Sequence, residues 1–337
     1  MSAGMGTGNL IWLTSAIALC VSAGTITLML ARGWALALDR PNERSLHQTP
    51  TPRTGGLGVF AGLLMAGLVT QSMLGTWLWI ETLLAGILAA VSLIDDRRGL
   101  TVRVRLAVHL AVAGIYAALL IQPPRIDLPA LVLIAISTLA IVTLINFYNF
   151  MDGANGMAGS MTCIGFGACA LGAWPSDATL AALCAAVAAA AAGFLPFNLK
   201  GRIFMGDSGA VPLGFLAGAL GLKGWHSGLW PLWFPVLVFA PFIADAAVTL
   251  ARRILRGEPF WLSHRKHYYQ RIVLMGASHA QLAACEAALM LLCAGAAVWA
   301  LRLDVNGHTV IFATIGVLLL ILMLVIDARW KRFEAGS

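Results

Sequence analysis

The chain has 337 residues, 60% of them hydrophobic and only 11% charged, with a mean hydropathy of +0.85. That composition excludes an ordinary water-soluble domain, because so few polar side chains cannot cover a surface in water, whereas lipid covers apolar surface readily. The formal net charge of +7 would suit a nucleic-acid partner, but the basic residues fall in short clusters between apolar runs, so no nucleic acid is expected.

A bilayer-crossing helix needs roughly 20 apolar residues. By that rule the sequence predicts an all-α, polytopic membrane protein of about eleven transmembrane helices. They begin near Asn9, Gly56, Trp77, Val104, Leu128, Met157, Ala178, Ala210, Trp230, Ala280 and Thr309. Helices are expected because backbone groups in lipid must be satisfied within their own segment. The first run has no basic residue before it and Arg32 just after it. A cleaved signal peptide has the reverse order, so this run is expected to remain as a first helix with its N-terminus outside.

If the spans alternate from there, every Lys and Arg except Arg125, Lys223 and Arg302 lies on one side. The positive-inside rule makes that side the cytoplasm and places the C-terminus there, beside anionic membrane lipid. No repeat or separate soluble region interrupts the pattern, so residues 1–337 are expected to form one membrane-embedded domain. All six Cys lie in apolar runs without metal-ligand spacing and are expected to serve as packing residues.

The unusual chemistry collects in the cytoplasmic connections, 32–56, 95–104, 147–156, 198–209 and 252–279. In the first, X-Pro steps at Pro50 and Pro52 favour an extended chain, Gly55 and Gly56 allow a turn, and Gly58 and Gly62 suit close helix packing. Arg44, His47 and Arg53 are candidate phosphate contacts there. Asp95 and Asp96 then end the third span beside Arg97 and Arg98. Carboxylates at that helix end oppose the helix dipole, so arginine or a bound metal is expected to compensate them. Neighbours on a helix point about 100° apart, which implies separate tasks.

Asn146, Asn149, Asp152 and Asn155 recur every three residues where the fifth span ends. They offer amide donors and carbonyl or carboxylate acceptors on one drifting face, with Gly153 and Gly156 permitting close backbone approach. Further on, Asn198, Lys200 and Arg202 precede Asp207, which opens a helix whose N-terminus is a natural anion site. The longest connection carries His264, Arg265, Lys266, His267 and Arg271, a cationic cluster suited to phosphate or diphosphate. Asp245 lies inside the ninth span, a functional candidate that pairing with Arg252 or Arg253 would explain equally well.

Carboxylates without thiolate ligands suit a hard ion, Mg²⁺ with Mn²⁺ as substitute, usually held by one or two carboxylates plus substrate phosphates. Together with Arg and His they point to phosphoryl transfer between a cytoplasmic donor and a membrane acceptor.

In order, "PTPRTGGLG", "DDRRGL", "NFYNFMDGANGMAG", "FNLKGRIFMGDSG" and "LSHRKHYYQR" span nearly the whole chain. This set resembles the polyprenyl-phosphate N-acetylhexosamine-1-phosphate transferases, glycosyltransferase family 4, and is most similar to members that initiate O-antigen. The resemblance implies a Mg²⁺-dependent enzyme of the bacterial inner membrane. Undecaprenyl phosphate would attack a UDP-N-acetylamino sugar, leaving undecaprenyl-diphospho-sugar and UMP, and starting lipopolysaccharide or related cell-surface synthesis. It implies that Asp95 takes the lipid phosphate's proton, with Asp96 in the same site. Asp207 would hold the metal, with Asp152, and with Asp95 as a further candidate ligand. Asn198 would contact uridine and His267 phosphate, while Arg53, Asn146, Asn149, Asn155, His264, Arg265 and Arg271 are candidate substrate contacts. Two departures stand out: Asn155 replaces a second acid common in relatives, and His267-Tyr268-Tyr269-Gln270 replaces a His-rich run. A homodimer is left open. The alternatives are a transporter of an anionic substrate and a phospholipid synthase using a CDP-linked donor.

Overall fold

The computed structural model describes residues 6–34, 37–39, 50–74, 78–122, 129–174, 176–259 and 264–336. Arg44 and His47 lie outside the described residues. The described chain is all-α apart from one two-residue hairpin, β1 (Leu38–Asp39) paired antiparallel with β2 (Thr51–Pro52). Its helices are α1 (Thr7–Ala31), α2 (Gly55–Leu74), α3 (Trp79–Arg98), α4 (Val102–Leu120), α5 (Ala130–Phe150), α6 (Met157–Ala173) and α7 (Ala178–Leu199). After these come α8 (Asp207–His226), α9 (Trp233–Val238), α10 (Ala240–Leu255), α11 (Tyr268–Leu274), α12 (His279–Ala300) and α13 (Val305–Gly336).

Each of the eleven expected spans has a helical counterpart, but among the described residues seven helices are long and apolar enough to cross a membrane: α1, α2, α4, α5, α7, α12 and α13. The others fall short for visible reasons. Helix α3 ends in Asp95-Asp96-Arg97-Arg98, and α6 has only 17 residues. Helix α8 carries Asp207 and Lys223 at its two ends. The ninth expected span is broken into α9 and α10 at Phe239, where Pro241 enters the first turn of α10. Proline has no N–H to continue the ladder of the preceding helix and its ring crowds the residue four before it.

Small residues decide the packing. Helix α8 is buried along nearly all its length, against α3 and α5. A methyl group on Gly214 would come 2.7 Å from Ile145 Cα of α5. The two backbones therefore touch, and α5 delivers its C-terminal end beside the start of α8. Gly58 and Gly62 press α2 onto Ile26 and Ala18 of α1, the helix contact expected of that spacing. Helix α7, rich in alanine, is covered by α1, α6 and α2.

Candidate active site

Two loops distant in sequence are sewn together by their backbones. Gly55 N–H donates to Phe204 O (2.9 Å), Gly56 N–H to Met205 O (2.9 Å) and Phe204 N–H to Pro52 O (2.8 Å). Gly206, at φ 72°, lies against the carbonyl of Arg53, where no side chain fits. The N-termini of α2 and α8 meet through Gly56 and Gly209. Asp207 is thereby set beside Arg53, whose guanidinium pairs with Asp96 at the end of α3 and lies 4.0 Å from Asp39.

The adjacent carboxylates have different partners, as their angular separation on a helix predicts. Asp95 accepts from Leu100 N–H (2.5 Å) and from Arg105 (3.1 Å). Asp96 uses one oxygen for Arg53 and keeps the other, Oδ2, buried with no hydrogen-bond partner among the described residues. Arg105, in the first turn of α4, also comes within 3.9 Å of Asp207. Asn149 donates its amide to Asp207, and Asp152 accepts from Gly206 N–H. Burial, then the charges of Asp207 and Asp96, hold the Asp152 carboxyl well above the usual carboxylate range, opposed by that Gly206 bond.

The three-residue period of the asparagines is only partly realised in the site. Asn149 and Asp152 face the Gly206–Asp207 loop, while Asn155 packs on Gly201. Asn146 turns back to its own helix and donates to Val142 O (2.7 Å). Asn198 is buried, with its oxygen accepting from Gly156 N–H (2.7 Å) and its nitrogen donating to Ile203 O (3.0 Å). Here it clasps two site loops, which accounts for an amide at that position.

In the basic loop, His267 is buried and its Nδ1 lies 3.0 Å from Asp245 Oδ1. His264 stacks on His267 with ring centroids 4.9 Å apart. Burial first, then the charges of His267, Arg253 and Lys266, push His264 down to about 4. Arg265 lies half-buried beside them. Arg271, expected to meet phosphate, is turned elsewhere. It pairs with Asp327 of α13 (2.9 Å) and stacks on Tyr268, because Asp327 also draws Arg252 (2.7 Å) into the same knot. Asp245 likewise pairs with the loop rather than with a neighbouring arginine. In the sequence Arg105 counts only as one of the cytoplasmic basic residues, and no local feature marks Asp327 as a partner of Arg271 and Arg252.

Among the described residues no three Asp, Glu, His or Cys side chains close on one point as a metal cage. The set Asp95, Asp152 and Asp207 is therefore not assembled as three ligands, since Arg105 and Leu100 N–H hold Asp95. The residues nevertheless fit a cation that takes few protein ligands. Asp95, Asp96, Asp152 and Asp207 are met by the guanidiniums of Arg53 and Arg105, and a buried oxygen of Asp96 is left over. Mg²⁺ keeps most of its shell for water and phosphate.

Residues 78–224, which include Asp95, Asp96, Asp152, Asn198 and Asp207, match the family model described as glycosyl transferase family 4. Over those residues the chain is similar to that family. Two relatives show how far the likeness extends beyond the matched segment. The undecaprenyl-phosphate alpha-N-acetylglucosaminyl 1-phosphate transferase of Yersinia pestis is 29% identical, over 74% of this chain and 73% of its own length. The decaprenyl-phosphate N-acetylglucosaminephosphotransferase of Mycolicibacterium smegmatis is 28% identical, over 80% of this chain and 76% of its own. Arg53 and His267 lie outside residues 78–224, and the tertiary fold brings Arg53 to Asp96 and His267 to Phe150.

Proposed function

We propose that this membrane protein transfers an N-acetylamino-sugar 1-phosphate from a UDP-sugar to undecaprenyl phosphate. The products are UMP and undecaprenyl-diphospho-sugar, the first lipid-linked intermediate of O-antigen or a related surface polysaccharide. The reaction takes place at the cytoplasmic face of a bacterial inner membrane. The observation that carries this reading is a carboxylate basin with two arginines and a histidine loop, built where apolar helices end. A transporter would instead place its free ionisable groups near mid-membrane, and Asp245 is consumed by the basic loop.

An oxygen of the lipid phosphate forms a bond to the β-phosphorus of the donor as the bond from that phosphorus to the bridging oxygen breaks, and UMP leaves. Arg53 and Arg105 orient phosphate oxygens and balance charge on them. Asp207 and Asp96 would hold Mg²⁺, with Asp152 close by, and the ion when bound would supply electrostatic stabilisation of the transferring phosphoryl group. Between the neighbours we assign the free oxygen of Asp96 to this duty, and to Asp95 the orientation of Arg105. His267 lies at the end of α5, its ring 5.9 Å from that of Phe150, which is two residues before Asp152.

Purified protein supplied with undecaprenyl phosphate, Mg²⁺ and UDP-GlcNAc, UDP-QuiNAc or UDP-FucNAc should release UMP with at least one donor, and EDTA should stop release reversibly. Folded protein that releases no UMP from any of the three contradicts the reading.

A further inference from the structure

Asp245 stands apart from the carboxylates of the basin. The break at Phe239 starts α10 just ahead of it, and its side chain is 7% exposed. Four donors converge on it. Oδ1 lies 3.0 Å from His267 Nδ1, 3.0 Å from Tyr268 N and 3.1 Å from Thr249 Oγ1, and Oδ2 lies 3.0 Å from Tyr269 N. A carboxylate has about four lone-pair sites. Asp245 is therefore engaged by the protein through both oxygens.

Its acceptor-only character fixes the histidine. The Nδ1 facing Asp245 must carry a proton, which leaves Nε2 as the nitrogen offered outward. Nε2 has no hydrogen-bond partner among the described residues. The same carboxylate also places this ring against the site. By holding Tyr268 N and Tyr269 N it sets the start of α11. Tyr269 then stacks under His267 with centroids 5.8 Å apart and donates its hydroxyl to Phe150 O at 3.0 Å, two residues before Asp152. Gly153 has no room for a side chain against that hydroxyl.

We propose that Asp245 is a positioning residue that acts through His267. It holds the imidazole with Nδ1–H inward, so that Nε2 is the atom presented to the diphosphate of the donor. This rests on the transferase reading for its substrate, but the orientation of the ring can be tested without it. Nitrogen-15 NMR of histidine-labelled protein in nanodiscs, with His267→Asn to assign the signal, should show a proton on His267 Nδ1. A signal from Nδ1 without a proton would overturn the proposal whatever the enzyme's activity.

The kinetic arm uses a double-mutant cycle. Asp245→Asn should lower kcat about 10- to 100-fold, as loss of an orienting partner typically does, while KM for the UDP-sugar stays within about twofold. In a His267→Ala background the same change should have no further effect on kcat. Equal losses in both backgrounds would mean that Asp245 serves the fold alone. Asp245→Glu, which keeps the charge and acceptor, should recover part of the loss; no recovery in protein that still melts cooperatively also counts against the proposal. Wild-type protein inactive on every donor would remove the transferase reading, and the NMR result would still decide the orientation.

Discussion

At one end of the bundle Asp95, Asp96, Asp152 and Asp207 are gathered around Arg53 and Arg105. At the other, Glu81 faces Lys223 at 3.2 Å, with Tyr116 OH 3.3 Å from the same oxygen and 3.1 Å from Ala219 O. Helices α3 and α8 contribute to both ends. The Glu81 cluster is balanced, one carboxylate against one ammonium, and a tyrosine ties it to the backbone. Among the described residues the basin is unbalanced, because its carboxylates outnumber the guanidiniums bonded to them and one buried oxygen is unpartnered. A fold that needed only stability would have no reason to keep such an excess, since burying unpaired charge is costly. The difference marks which end is built to receive something positive.

The strongest way to break this contrast is to neutralise the basin. Asp207→Asn and Asp96→Asn should each lower kcat by about 10³-fold, measured as UMP release, with the fold intact by thermal melting. If Asp96→Asn keeps near-normal turnover while Asp95→Asn does not, the assignment of roles within the pair is inverted.

Next in size is Arg53. Arg53→Ala should reduce kcat/KM by about 10²-fold. Arg53→Lys should restore little, because an ammonium cannot bridge Asp96 and a phosphate as a planar guanidinium does. Full rescue by lysine would reduce Arg53 to a topology charge.

Glu81→Gln sharpens the comparison from the other end. It should leave kcat within about twofold and lower stability by about 1–3 kcal/mol, because Lys223 loses its partner. A large loss of turnover would show that the two ends are not separate.

The smallest effect concerns pH. Burial and the charges of Asp207 and Asp96 hold Asp152 above its ordinary range in the folded chain. A pKa raised on folding adds stability that is complete below the unfolded value, about 4, and is lost as pH rises through the folded one. In EDTA, thermal stability should therefore decline as pH rises above about 4, and Asp152→Asn should flatten part of that decline. An unchanged slope in Asp152→Asn would show that its carboxyl ionises freely.

Much of this was legible in the sequence, and for definite reasons. Apolar runs of bilayer length announce helices because lipid leaves the backbone no other partner, and Gly58 and Gly62 announced a helix contact because only small residues let backbones meet. Asp96, Asp152 and Asp207 were conspicuous because carboxylates are rare in so apolar a chain. Other residues misled. Asn198 and Asn146 look like ligand contacts, yet the folded chain uses their amides for its own backbone. Arg271 looks like a phosphate anchor, but Asp327, 56 residues later, claims it. Sequence spacing cannot reveal such partners, because each pairing depends on where a distant helix ends.

The sequence by itself determined the class of structure, where helices form and the residue types available for chemistry, because those follow from local apolar patterning and backbone self-satisfaction. Tertiary structure alone decided which oxygen of the Asp95–Asp96 pair stays free, that Arg105 bridges Asp95 and Asp207, and that Asp245 turns the ring of His267. Those outcomes depend on contacts between helices, which close packing of small residues sets to within an ångström and which no run of neighbouring residues encodes.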